Sequence, residues 1–141
     1  MKPVLLDSGV IVALLDSAER YHRRCVAALD ELDRPLVTCE AVVAESCYLL
    51  RRLSGAAERV IENVELGNFQ IPLQLADAAP RIRALMRKYR NIPASLADAC
   101  LIAIAEEFET GDILTLDSDF LAYRWAKNRP FQLLVPLHGS T

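Results

Sequence analysis

Histidine is nearly missing from this chain of 141 residues, which carries only His22 and His138. With so few imidazoles, a Cys/His zinc centre has little support. Its four cysteines, Cys25, Cys39, Cys47 and Cys100, show no C-x-x-C spacing. Each sits in a helical or apolar setting and reads as a buried free thiol. An excess of cations is missing too. The net charge of −3 argues against a protein that coats nucleic acid through bulk electrostatics, while leaving room for a local basic patch. No apolar run approaches the length that spans a bilayer, and Met1-Lys2-Pro3 leads directly into a short apolar segment rather than a signal peptide. The expected location is the cytoplasm, with no membrane partner. There is no G-x-G-x-x-G and no Walker loop, which removes the common phosphate cradles. Any metal held here should prefer oxygen ligands.

What is present is a generous core, with 52% apolar residues against 25% charged. Short apolar runs alternate with helical stretches. Val4–Leu6, Pro35–Thr38, Phe69–Leu73, Ile113–Leu116 and Phe131–Val135 read as strands, the third an edge strand because of Pro72. Helices are expected over Ser8–Asp16, Glu19–Leu32, Cys39–Leu53 (capped by Thr38), Ala56–Leu66, Ala76–Tyr89, Leu96–Phe108 and, briefly, Asp119–Ala126. In the helix over Ala76–Tyr89, Ile82, Leu85, Met86 and Tyr89 should face inward, and Pro80 should fall in the first turn or bend it slightly. Strands alternating with helices predict an α/β fold: a single three-layer αβα domain over residues 1–141, with a central, mostly parallel sheet of about five short strands.

Against that framework four acids stand out. Asp7 ends the first strand, Glu45 lies within the apolar helix that begins near Cys39, Asp98 opens the helix Leu96–Phe108, and Asp117 closes the fourth strand. In an open α/β sheet the carboxyl ends of parallel strands converge on one edge, where ligands bind. Three of the acids should gather there, and Glu45 can reach them from its helix. Each has an ordinary reading as well. Asp7 is a good helix N-cap, and Asp98 stands at capping-box spacing from Ser95. Glu45 shares a face with Val42, Leu49 and Leu53, where an unpaired carboxylate is costly to bury, unless it reaches solvent or pairs with Arg51 or Arg52. Asp117 and Asp119 compete for the fourth position. Taken together, clustered carboxylates repel one another and stay partly protonated unless a cation neutralises them, so their joint placement points to a divalent-metal site.

Four short blocks in order, Leu6-Asp7-Ser8, Val42-Val43-Ala44-Glu45, Leu96-Ala97-Asp98-Ala99 and Leu114-Thr115-Leu116-Asp117-Ser118-Asp119-Phe120, give the chain a resemblance to PIN-domain proteins, most closely VapC-type ribonuclease toxins, running nearly end to end. The resemblance implies a PIN-like fold and a metal-dependent endoribonuclease, the toxin of a toxin–antitoxin pair. It implies that Asp7 and Asp98 bind the principal Mg²⁺ or Mn²⁺ and that Asp117 helps hold this ion or a second one. It implies that Glu45 ligates through water or orients the attacking water. Asp117 is preferred to Asp119 for its Thr-x-Asp context. Ser8 and Thr115 are hydroxyls suited to hydrogen-bonding the neighbouring acids. The implied partners are an RNA substrate, a small antitoxin protein encoded nearby, and a second copy in a homodimer.

A polyanion also needs cations. Candidates are Arg20, Arg23 and Arg24, then Arg51 and Arg52, the run Arg87-Lys88-Tyr89-Arg90, and Arg124-Trp125-Ala126-Lys127. Each could equally be a solvated helix face. Tyr89 and Trp125 could stack on bases or pack in the core. A haloacid-dehalogenase phosphatase fits poorly, because its second Asp would fall on Gly9, and so does a response-regulator receiver, which wants an acidic pair by the first strand and a late Lys where the strand ending at Leu116 gives Asp117 instead. The alternatives that remain are a PIN-domain RNA-processing nuclease that is not a toxin and a catalytically silent PIN module.

Overall fold

A computed structural model describes residues 1–137, so His138 lies outside the described residues. The chain begins with β1 (Val4–Leu6), whose three side chains are fully buried. Parallel strands flank it on both sides. β2 (Leu36–Val37) pairs with it so that Val4 faces Leu36, and β4 (Asp112–Leu114) so that Leu5 faces Ile113. β3 (Phe69–Gln70) continues beyond β2 and β7 (Gln132–Leu133) beyond β4, giving the order β3-β2-β1-β4-β7, parallel throughout. This is the five-stranded parallel sheet the alternating pattern predicts, with Phe69 at its edge. From β1 the chain proceeds outward to one side and later to the other. The topological switch, where open α/β sheets bind ligands, therefore lies between β1 and β4.

Among the described residues six helices cover the sheet. They are α1 (Ser8–Leu15), α2 (His22–Asp30), α3 (Glu40–Leu49), α4 (Ala56–Glu65), α5 (Leu75–Lys88) and α6 (Leu96–Phe108). The bounds of α6 match those read from the sequence. Its stretch Ala99–Ala105 is buried on every face, because the helix is wedged between the sheet, α3 and α5. An all-round apolar helix has no other stable place.

Several local expectations are corrected. Thr38 does not cap α3: Cys39 is the N-cap, and the Thr38 hydroxyl instead donates to the Leu6 carbonyl at 2.7 Å, tying β2 to β1. α3 stops at Leu49, leaving Leu53 exposed. On α5, Ile82, Leu85 and Tyr89 face inward as expected, but Met86 is 39% exposed. Pro80 lies past the first turn, and the helix runs through it. The segment read as a helix over Asp119–Ala126 is a 3-10 turn (Ser118–Leu121) followed by an antiparallel hairpin of β5 (Arg124–Trp125) and β6 (Arg129–Pro130). Ala126 and Asn128 adopt left-handed backbone angles, φ 50° and 63°, to close that hairpin. The Trp125 ring lies so close to Gly111 that a Cβ there would collide with it.

Candidate active site

Asp7 is the residue on which the site is built. Its backbone N–H extends the β1–β4 ladder by donating to the Leu114 carbonyl at 3.0 Å. Its side chain then caps α1, Oδ1 accepting from the Ser8 N–H at 2.8 Å and Oδ2 from the Thr115 hydroxyl at 2.7 Å. The cap reading and the cleft reading coexist in one residue. Only 7% of Asp7 is exposed. Burial outweighs these two hydrogen bonds, and the nearby Asp98 and Asp117 add repulsion, so its carboxyl is pushed up to about 6.

Asp98 arrives from the other side. Ser95 and Asp98 form a reciprocal capping box at the start of α6, the Asp98 N–H donating to Ser95 Oγ at 3.1 Å and the Ser95 N–H to Asp98 Oδ2 at 3.3 Å. The same Oδ2 accepts the Tyr123 hydroxyl at 3.0 Å. Burial, with repulsion from Asp117, raises this carboxyl as well. Glu45 is not buried among the apolar residues of α3, contrary to the stripe it shares in sequence. It is exposed on that helix, and Ser8 Oγ donates to its Oε1. Asp117 caps the 3-10 turn, accepting from the Asp119 N–H at 2.9 Å, and its own N–H donates to Thr115 Oγ at 3.0 Å. Thr115 thus bridges Asp7 and the Asp117 backbone.

Asp7, Ser8, Glu45, Ser95, Asp98 and Asp117 line one cleft of about 440 Å³ at the β1–β4 switch, and among the described residues no cationic side chain joins them. Thr115 stands behind the lining and Asp119 is exposed outside it. Two larger hollows, each about 580 Å³, lie elsewhere, and neither collects carboxylates from separate elements. Among the described residues no three His, Cys, Asp or Glu side chains are grouped tightly enough to form a ready-made metal cage. Each carboxylate is drawn to its own hydroxyl or backbone partner instead. A dication such as Mg²⁺ does not require such a cage, since it keeps several waters and takes one or two carboxylates. The donor set is all oxygen with no competing cation, which suits a hard ion.

Tyr123 was invisible to sequence reasoning as a site residue. Its spacing from Phe120 looks like the face of a helix, and only the tertiary fold turns its hydroxyl onto Asp98. Ser95, by contrast, carries a sequence signal through its capping-box spacing.

The chain belongs to the PIN domain family, whose model matches residues 4–126. It is similar to Ribonuclease VapC26 of Mycobacterium tuberculosis, with 27% identity over 139 residues, 97% of this chain and 96% of that protein. Its fold is similar to the crystal structure of the Sarcin-Ricin loop cleaving toxin VapC20 from the same organism. That likeness has a TM-score of 0.77 at 19% identity and covers 90% of this chain and 99% of the other.

Proposed function

We propose that this chain is a divalent-metal-dependent endoribonuclease, one PIN nuclease domain over residues 1–141, acting as the toxin of a toxin–antitoxin pair. The observation that carries the reading is the cleft itself: four acids from separate elements, Asp7 raised to about 6, and no cation among them. Likeness over nearly the whole length to a named ribonuclease supports RNA as the substrate.

In this reading Asp7, Asp98 and Asp117 hold Mg²⁺ or Mn²⁺. Bound there, the ion supplies positive charge to the scissile phosphate and acidifies a water. The protein's own contribution is orientation. Thr115 and the Ser8 N–H fix the two Asp7 oxygens, so the carboxylate cannot rotate. Ser95 and Tyr123 fix Asp98 Oδ2. Glu45, exposed and steered by Ser8, is placed to orient the attacking water and accept its proton at a carboxylate oxygen. Asp119 serves through its backbone, locking Asp117.

Purified protein with Mg²⁺ or Mn²⁺ should cut RNA, and EDTA should stop it. Cutting that persists in EDTA would refute the metal reading. The toxin role predicts growth arrest on expression and rescue by a small neighbouring gene product; harmless expression of an active nuclease would instead place the protein in RNA processing.

A further inference from the structure

The proposed ribonuclease reading leaves a physical problem, because a cleft lined with carboxylates repels a polyanion. Two basic runs separated in sequence answer it. Arg87, Lys88 and Arg90 stand at the end of α5, and Arg124, Lys127 and Arg129 on the β5–β6 hairpin. Tyr89 joins them: its hydroxyl donates to the Arg124 carbonyl at 3.3 Å and accepts from the Arg124 N–H at 2.9 Å. Its ring meets that of Tyr123 edge-on at 5.0 Å, and Tyr123 in turn donates to Asp98. Tyr89, which stands between Lys88 and Arg90 in sequence, is thus linked to Asp98 of the cleft through the Tyr123 ring. The short connector after Arg90 leads directly to Ser95 on the cleft wall.

The Arg124 guanidinium donates to the Leu121 and Tyr123 carbonyls, and Lys88 and Arg129 lie over the Tyr89 and Trp125 rings, contacts that leave their charge unneutralised. Among the described residues the ion pairs are Arg34–Asp112 and Arg81–Glu106, so neither run takes part in one. Glu106, the acid nearest the hairpin turn, is already occupied by Arg81 and the Ala126 N–H. Glu109 lines a hollow with Lys127 and Arg129 and offsets part of their charge. The hairpin runs along α6 from Asp98 at Tyr123 to Glu106 at Ala126, eight positions and so about 12 Å. Tyr89 and Trp125 are both buried at 7% exposure, which leaves them no face for stacking bases.

We propose that these two runs form a phosphate track, on which an RNA strand leaves the cleft past Lys88 and Arg90 and continues over the β5–β6 hairpin to Lys127 and Arg129. Backbone charge rather than base stacking holds the strand, so binding is steeply salt-dependent and tolerant of sequence. The inference rests on the ribonuclease reading and adds the path.

The test is anisotropy of a fluorescein-labelled single-stranded RNA in EDTA, titrated with salt. For single strands the log–log salt slope falls by about 0.7 for each phosphate no longer neutralised, which weakens affinity about fivefold near 0.1 M salt. The triple variant R87Q/K88Q/R90Q should show several such steps. K127Q/R129Q should show fewer, and none on an RNA of only two or three nucleotides. Arg59→Gln, on α4, should match wild type. Circular dichroism and Mn²⁺ binding by calorimetry would show that fold and cleft persist. Wild-type affinity and slope in both multiple variants would overturn the track, as would a loss confined to R51Q/R52Q. Failure of the wild type itself to bind or cut RNA would sink the ribonuclease reading before any variant is compared.

Discussion

The two ends of the sheet treat their acids in opposite ways. At the amino end, Asp112 pairs with Arg34 at 2.8 Å. The same guanidinium donates to the carbonyls of Lys2 and Pro3, and the Thr110 hydroxyl also reaches Pro3. Charge there is matched and the strand entrances are tied together. At the carboxyl end, among the described residues, Asp7, Asp98 and Asp117 hydrogen-bond only to hydroxyls and backbone N–H groups. Hydroxyls orient a carboxylate without neutralising it, so the carboxyl end keeps its charge unmatched. One end ties the fold together, and the other is the end at which the proposed chemistry would take place.

The comparison is broken most severely by removing a carboxyl-end charge. Asp98→Asn should lower RNA cleavage in Mg²⁺ by at least about 100-fold, more than the loss of an outer partner to a metal ligand. Circular dichroism should remain native, since the asparagine can still accept from Ser95 and Tyr123. Cleavage within a fewfold of wild type would mean that the acids are caps and nothing more.

Asp7 gives the same contrast a sign in pH. Its carboxyl is near 6 in the fold against 3.8 in a free chain, so the native state binds the proton more tightly between those values. Stability contributed by this group is full below about pH 4 and is lost as pH rises through 6. The cost at pH 7 without metal is about 3 kcal/mol. Asp7→Asn should therefore raise the urea midpoint at pH 7 while abolishing cleavage. A variant no more stable than wild type would show that the buried charge is compensated.

How legible this was varies along the chain. α6 could be bounded from sequence because Ser95 and Asp98 mark its start and an unbroken apolar run demands burial. β1, β4 and the acids at their ends followed from the alternation of short apolar runs with helices. The region after Phe120 was not legible. Its hairpin depends on Tyr89 gripping the Arg124 backbone, on Glu106 accepting from Ala126, and on an alanine in a left-handed conformation. None of these leaves a local pattern. Glu45 follows the reading in which its side chain reaches solvent at a boundary, with Val42 of its stripe buried and Leu49 exposed.

Tyr123 sharpens the comparison one step further out. Burial and the charge of Asp98 push its phenol upward, so it remains a hydrogen-bond donor. Tyr123→Phe keeps the rings packed against Tyr89 and Phe120 but leaves Asp98 Oδ2 with the Ser95 N–H alone. Mn²⁺ affinity and cleavage should each fall about 10- to 100-fold. A drop in thermal stability with unchanged Mn²⁺ binding would make the residue purely structural.

The smallest effect tests whether the two ends are separable at all. Arg34→Ala removes the pair with Asp112 and two bonds to backbone carbonyls. The side chains are 24% and 34% exposed, so solvent screens the attraction, and the expected loss is about 0.5–1 kcal/mol in urea unfolding. Because β1 connects this pair to Asp7 only through three fully buried apolar residues, cleavage and Mn²⁺ affinity should not move. A several-fold fall in cleavage at full folding would mean that strain at the strand entrances reaches Asp7 along β1, and the division between a stabilising end and a reactive end would fail.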